Sequence, residues 1–164
     1  MIQFKMDLTQ LQKAVANTIQ GMAASGALME EIGEHMRSEI QIAMDAQESL
    51  DGDAWQAGRR DGQALRNTGK LYGAITYEAT SDSVAVGVGK AAEDRYPEVH
   101  NEGMVIRPKN AKALKIPMPD GSFRLVQKVT IPKREFIPDF GKSPKAKSEI
   151  RDVCEEYMRR IMGL

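Results

Sequence analysis

Residues 113–131, ALKIPMPDGSFRLVQKVTI, decide the fold class. Within them, Pro119-Asp120-Gly121-Ser122 is a turn sequence: proline presets φ, aspartate bonds nearby backbone, and glycine accepts positive φ. On either side, Ala113–Met118 and Phe123–Ile131 are rich in apolar and β-branched residues, so the segment predicts a β-hairpin. Its flanks, Leu114-Lys115-Ile116 and Arg124-Leu125-Val126, alternate in polarity as a two-faced ribbon should. An isolated ribbon is only marginally stable in water. This one is therefore expected to project from the body and rest on a neighbouring subunit.

Upstream, Leu71–Ala79 and the alternating Val84, Val86 and Val88 have strand composition, with Thr80-Ser81-Asp82-Ser83 as the turn between them. Residues 91–103, AAEDRYPEVHNEG, predict a short helix closed by Gly103, and Met104-Val105-Ile106 opens a further strand. Residues 49–70, SLDGDAWQAGRRDGQALRNTGK, follow neither period and read as a long loop ordered around Trp55 and Leu65. Loops of that length are usually functional or mobile. At the start of the sequence, Ile2–Met6 alternates like a short strand, and Asp7 with Gln10 resembles a capping box. Leu8, Leu11, Val15, Ile19 and Met22 then recur at helical spacing. Ser25-Gly26 interrupts the pattern, which resumes with Leu28, Ile32, Met36, Ile40 and Met44; one kinked helix and a helix pair both fit. Downstream, Ser143-Pro144 is an N-cap followed by proline at the first helical position. The helix it opens carries Ile150, Val153, Cys154, Tyr157 and Ile161 on one face. Residues 1–164 thus read as a single α+β domain. It comprises a helical part (1–50), a long loop (51–70), a mostly antiparallel sheet with the projecting hairpin (71–140) and a closing helix (143–162).

Composition narrows the function. With 41% hydrophobic and 28% charged residues, a chain of 164 residues reads as a soluble globular protein able to bury a core. No run nears the roughly 20 apolar residues that span a bilayer, so no membrane partner is expected. The opening MIQFKMDLTQLQ does not read as a secretory signal. A single cysteine, Cys154, precludes an internal disulfide and suits a reducing cytoplasm.

Chemistry-bearing patterns are scarce. Gly87-Val88-Gly89-Lys90 lacks the Ser or Thr that follows the lysine of a phosphate loop and reads as a strand end. His35, His100 and Cys154 show no metal-ligand spacing, and Cys154 falls on an apolar helix stripe, where it reads as core. Glu30-Glu31-Glu34 reads as a solvated helix face. No catalytic, cofactor or metal site is expected, and the chain is expected not to be an enzyme.

Charge is unevenly distributed. Residues 105–151 carry 12 basic and 4 acidic side chains, whereas residues 1–104 carry 9 and 16. A basic stretch can steer and orient a partner, or merely keep a hairpin soluble and blunt its edges. The residues expected to face a partner are Lys109, Lys112, Lys115, Arg124, Lys128, Lys133 and Arg134. Phe123, Phe136 and Phe140 are the aromatic residues of the stretch, too few for a platform on which single-stranded bases stack. Backbone contact with duplex DNA needs no aromatics, so a nucleic-acid-binding module is the alternative reading.

Three strings, in order, resemble the phage virion morphogenesis family, which includes Mu-like tail-completion proteins. Leu65-Arg66-Asn67-Thr68-Gly69-Lys70-Leu71 looks like that family's Leu-x-x-Thr/Ser-Gly-x-Leu segment, with Trp55 upstream. Val86-Gly87-Val88-Gly89 followed by Tyr96-Pro97-Glu98-Val99-His100-Asn101-Glu102-Gly103 is similar to its strand end and Tyr-x-x-x-His-x-x-Gly element. Ile131-Pro132-Lys133-Arg134-Glu135-Phe136-Ile137 is like its Ile-Pro-x-Arg-x-Phe segment ahead of the last helix. Asn101 stands where the family has Gln and Glu135 where proline is common, and Pro138-Asp139-Phe140 lengthens the approach to the helix. The resemblance implies a non-catalytic part of the virion, assembled in the host cytoplasm, that completes the tail or the head–tail neck. It further implies a cyclic homo-oligomer, six-fold, contacting other tail or neck proteins and passively the packaged DNA. Structural roles follow for the motifs. Thr68-Gly69 would end the loop and set the first hairpin's register. Tyr96 and His100 would pack the short helix on the sheet, and Pro132, Arg134 and Phe136 would turn the chain into the last helix.

Overall fold

The second periodic run, Leu28 to Met44, forms one continuous helix, α1 (Ser25–Ala46). The computed structural model describes residues 25–57, 62–89, 96–118 and 120–164, with residues 13 and 16. The expected strand at 2–6, the capping box at Asp7 and Gln10, and the stripe from Leu8 to Met22 lie outside the described residues. So do residues 58–61 of the loop, residues 90–95 and Pro119. Met36, Ile40 and Met44 recur every fourth position on one face of α1 and are fully buried.

The chain continues through a helical turn, α2 (Lys70–Gly73), and strands β1 (Ile75–Ala79) and β2 (Val84–Val88). Helix α3 (Tyr96–Glu102) and strands β3 (Met104–Ile106), β4 (Leu114–Pro117), β5 (Phe123–Val126) and β6 (Val129–Ile131) precede the last helix, α4 (Pro144–Met162). Helices at both ends with antiparallel strands between them make an α+β fold, as the sequence predicts. The strands form three two-stranded sheets, β1–β2, β3–β6 and β4–β5.

Two strand boundaries differ from the expected ones. Leu71–Ala74 has strand composition, but Gly69 takes a positive φ of 71° and starts a helical turn. The Ala74 N–H bonds back to the carbonyls of Lys70 and Leu71, so the strand begins only at Ile75. Residues 123–131 are likewise not one strand. β4 offers just four partners, Leu114–Pro117, and β5 uses all of them. After Gln127-Lys128 the chain pairs instead with β3, Met104 opposite Ile131 and Ile106 opposite Val129.

Two apolar clusters meet on α1. One joins Ile40 and Met44 to Leu65, Leu71, Ile75 and Phe136, with Trp55 packed against it. The other joins Ile32 and Met36 to Leu50 and Ala146 of α4, with Cys154 at its edge. Burial pushes the Cys154 thiol up, the reverse of what a reactive thiolate needs. The long loop is tied down at its start: Ser49 Oγ accepts from Asp53 N at 3.0 Å, and Asp51 accepts from Ser143 Oγ at 2.8 Å and Lys145 N at 3.0 Å. Ser143 in turn caps α4, accepting from Ala146 N at 3.0 Å ahead of Pro144. Helix α1 also lies directly against β1, because a Cβ at Gly33 would collide with the Tyr77 ring.

Candidate functional site

The β4–β5 register sets Lys115 opposite Leu125, Ile116 opposite Arg124 and Pro117 opposite Phe123. Opposed residues of an antiparallel pair share a face, so the alternation on the two strands runs out of phase and each face mixes a cation with apolar groups. One face holds Lys115, Pro117, Phe123 and Leu125, with Lys115 Nζ 3.8 Å from the Phe123 ring centroid. The other holds Leu114, Ile116, Arg124 and Val126. The tip is closed by Met118 N donating to Ser122 O at 2.9 Å, and Gly121 takes a φ of 81°. Asp120 accepts from Ser122 Oγ at 2.6 Å and Ser122 N at 2.9 Å, which holds its carboxyl below the usual carboxylate range. Neither strand packs extensively on another described element, so the ribbon leaves Phe123 at 55% and Leu125 at 68% exposure.

Of the seven basic residues expected to face a partner, Lys109, Lys112, Lys115, Arg124, Lys128 and Lys133 are exposed; Lys133 pairs with Glu135. Arg134 is the correction. It is only 6% exposed, and its guanidinium donates to the carbonyls of Gln56 at 2.9 Å and Ala57 at 3.2 Å. Both bonds lie inside the subunit and tie the long loop to the segment before α4. Composition alone groups Arg134 with its basic neighbours, whereas the Ile-Pro-x-Arg-x-Phe resemblance marks it as structural.

The same segment is stitched to α3. Arg134 N donates to the His100 carbonyl at 2.8 Å, and Asn101 Oδ1 accepts from Phe136 N at 3.0 Å and Ile137 N at 2.9 Å. Asn101 Nδ2 returns a bond to the Ile137 carbonyl at 3.2 Å. Gly103 follows with a φ of 75°, and a Cβ there would stand 2.8 Å from Lys133 N. Tyr96 covers His100 edge-to-face at 4.3 Å but is itself exposed, so it shields the histidine rather than packing α3 onto a sheet.

Burial, and secondarily the Arg134 charge, push the His100 imidazole below its ordinary value. The unfolded chain therefore takes up this proton first. Stability is expected to fall as pH drops through about 6.5 and to level off below the lowered folded value. Urea denaturation at successive pH values should show this slope flattened in His100→Gln; an unchanged slope would assign it to other groups.

Between α1 and α4, His35 Nε2 lies 2.7 Å from Glu149, and Glu39 stands one helical turn from His35. Ligand atoms of these three residues lie within 4.8 Å of one another, a convergence hidden in the sequence because Glu149 comes from the other end of the chain. Lys145 already pairs with Glu149, and its ammonium lies 3.8 Å from Glu39. That lysine, then His35, holds the Glu149 carboxyl below its usual range. The cluster is a polar clasp between two helices.

Glu30, Glu34 and Arg37 of α1 and residues Thr76–Ala79 of β1 line an open groove of about 580 Å³. Glu30 accepts from the Tyr77 hydroxyl and raises its titration, and Glu34 pairs with Arg37. Glu31, expected on the same solvated face, instead pairs with Arg160 of α4. Glu30 and Glu34 against one guanidinium leave the groove acidic, and Glu78 adds a third carboxylate on the other side of β1.

Among the described residues, no helix is long and apolar enough to cross a membrane. A family model for the phage virion morphogenesis family matches residues 6–159, nearly the whole chain. No curated protein and no solved structure matches it.

Proposed function

Because the chain belongs to the phage virion morphogenesis family, we propose that it completes the tail or the head–tail neck as a non-catalytic ring of identical subunits. Family membership gives the assembly role and the association with the virion. The observation that carries the finer reading is the β4–β5 hairpin, which projects with Phe123 and Leu125 uncovered. A two-stranded ribbon gains little stability alone, and exposed aromatic and aliphatic groups on it suit contact with a neighbour. The charge asymmetry supports identical neighbours. A basic hairpin on one subunit and an acidic groove on the next are different surfaces, and such a heterologous contact closes into a ring when the rotation per subunit permits. Six copies is the expected number. The ring then meets other tail or neck proteins on its two faces.

A phage deleted for this gene tests the reading, with particle morphology as the readout. Heads and tails that form but fail to complete or join are the expected outcome, repaired by supplying the protein.

A further inference from the structure

We propose that the β4–β5 hairpin of one subunit docks edge-on in the acidic groove between α1 and β1 of a second copy of this chain. The inference rests on the ring reading above and deepens it by assigning the two faces. Strand β1 pairs only with β2 among the described residues, so its other edge is free of strand partners there. An open edge of this kind can accept a further strand through main-chain hydrogen bonds. The groove follows that edge, since four consecutive residues, Thr76–Ala79, line it. The hairpin offers strands of matching length, Leu114–Pro117 and Phe123–Val126.

Charge fits on both sides of the strand. Tyr77 faces α1, as its contact at Gly33 requires, so Glu78 points to the opposite side. Carboxylates therefore flank β1 on each side, Glu30 and Glu34 toward α1 and Glu78 away from it. The hairpin carries one cation on each of its own faces, Lys115 on one and Arg124 on the other. The strand that pairs with β1 sets its own cation beside the carboxylate on one side, the second strand carries the other cation on the opposite side, and Phe123 and Leu125 gain cover. Such exposed pairs contribute little individually; they select the register, and the main-chain and apolar contacts hold it.

The test uses the full chain. Lys115→Glu with Arg124→Glu reverses the hairpin, and Glu34→Lys with Glu78→Lys reverses the groove. Sedimentation analysis should show each pair weakening self-association by about tenfold or more at low salt, and less at high salt. All four substitutions in one chain should restore it toward the wild-type value. Reversals without effect, or a fourfold variant no better than either half, would overturn the docking and leave the ring standing. A wild-type chain that stays monomeric at every concentration would overturn both. Should the reversals unfold the chain, Leu125→Cys with Ala79→Cys, in a Cys154→Ala background, gives a second reading. Disulfide-linked oligomers are expected on oxidation. Cross-links confined within single chains, or none while association persists, would assign the groove to another occupant and overturn the proposal.

Discussion

Replacing Arg134 with alanine is expected to lower folding stability by about 2–4 kcal/mol, measured by urea denaturation. The side chain is buried and donates to the carbonyls of Gln56 and Ala57. Removing it leaves both acceptors without their donor and opens a space where the guanidinium and its methylenes packed. Arg134→Lys should recover only part of the loss, because an ammonium is a compact point charge and cannot reproduce the planar fork that spans two neighbouring carbonyls. The damage should be local in character as well: the loop that begins at Ser49 loses its tie to the segment before α4. Limited proteolysis should therefore cut this loop faster in Arg134→Ala than in the wild type. A change below about 0.5 kcal/mol, the range of ordinary surface substitutions, would mean that the carbonyls find water and that the strut is dispensable.

Ile40→Ala should cost about as much or more, about 2–5 kcal/mol. Ile40 is fully buried and sits in the cluster with Leu65, Leu71, Ile75 and Phe136, so truncation leaves a void lined by several different elements. Ile42 is the control. It lies two residues away on the same helix but is 56% exposed, and Ile42→Ala should stay within about 0.5 kcal/mol. The contrast tests the orientation of α1, since a helix rotated by half a turn would exchange the two results. Against a typical total of about 5–15 kcal/mol, either Arg134→Ala or Ile40→Ala removes a large share of the stability.

Local signals carried much of this fold. The spacing of Ile32, Met36, Ile40 and Met44 marked the buried face of α1, Ser143-Pro144 marked the start of α4, and Asp120-Gly121-Ser122 marked the hairpin tip. Each depends on residues within a few positions of one another, where propensity and periodicity act directly. Strand pairing was less legible. Nothing within Phe123–Ile131 announces that its second half leaves β4 for β3, because the competing partner lies about 25 residues upstream. Leu71–Ala74 misled for a related reason: the positive φ at Gly69 outweighed the strand composition that follows it.

The candidate surface was read in part. The basic character of residues 105–151 and the projection of the hairpin were visible in composition and turn chemistry. The burial of Arg134 was not, since charge alone does not distinguish a solvated guanidinium from one enclosed by carbonyls. The acidic groove also escaped, because Glu30 and Glu34 come beside β1, which carries Glu78 on its other side, only when α1 lies across that strand. The packing that brings them together depends on Gly33 and Tyr77, more than 40 residues apart, and neither stands out on its own.

Electron microscopy of particles from a phage lacking this gene tests the central claim most directly. The account predicts filled heads and separate or unfinished tails, with normal particles restored by the wild-type protein. The hairpin-reversed Lys115→Glu/Arg124→Glu chain should restore them poorly. Intact, joined and infectious particles in the absence of the protein would contradict the account.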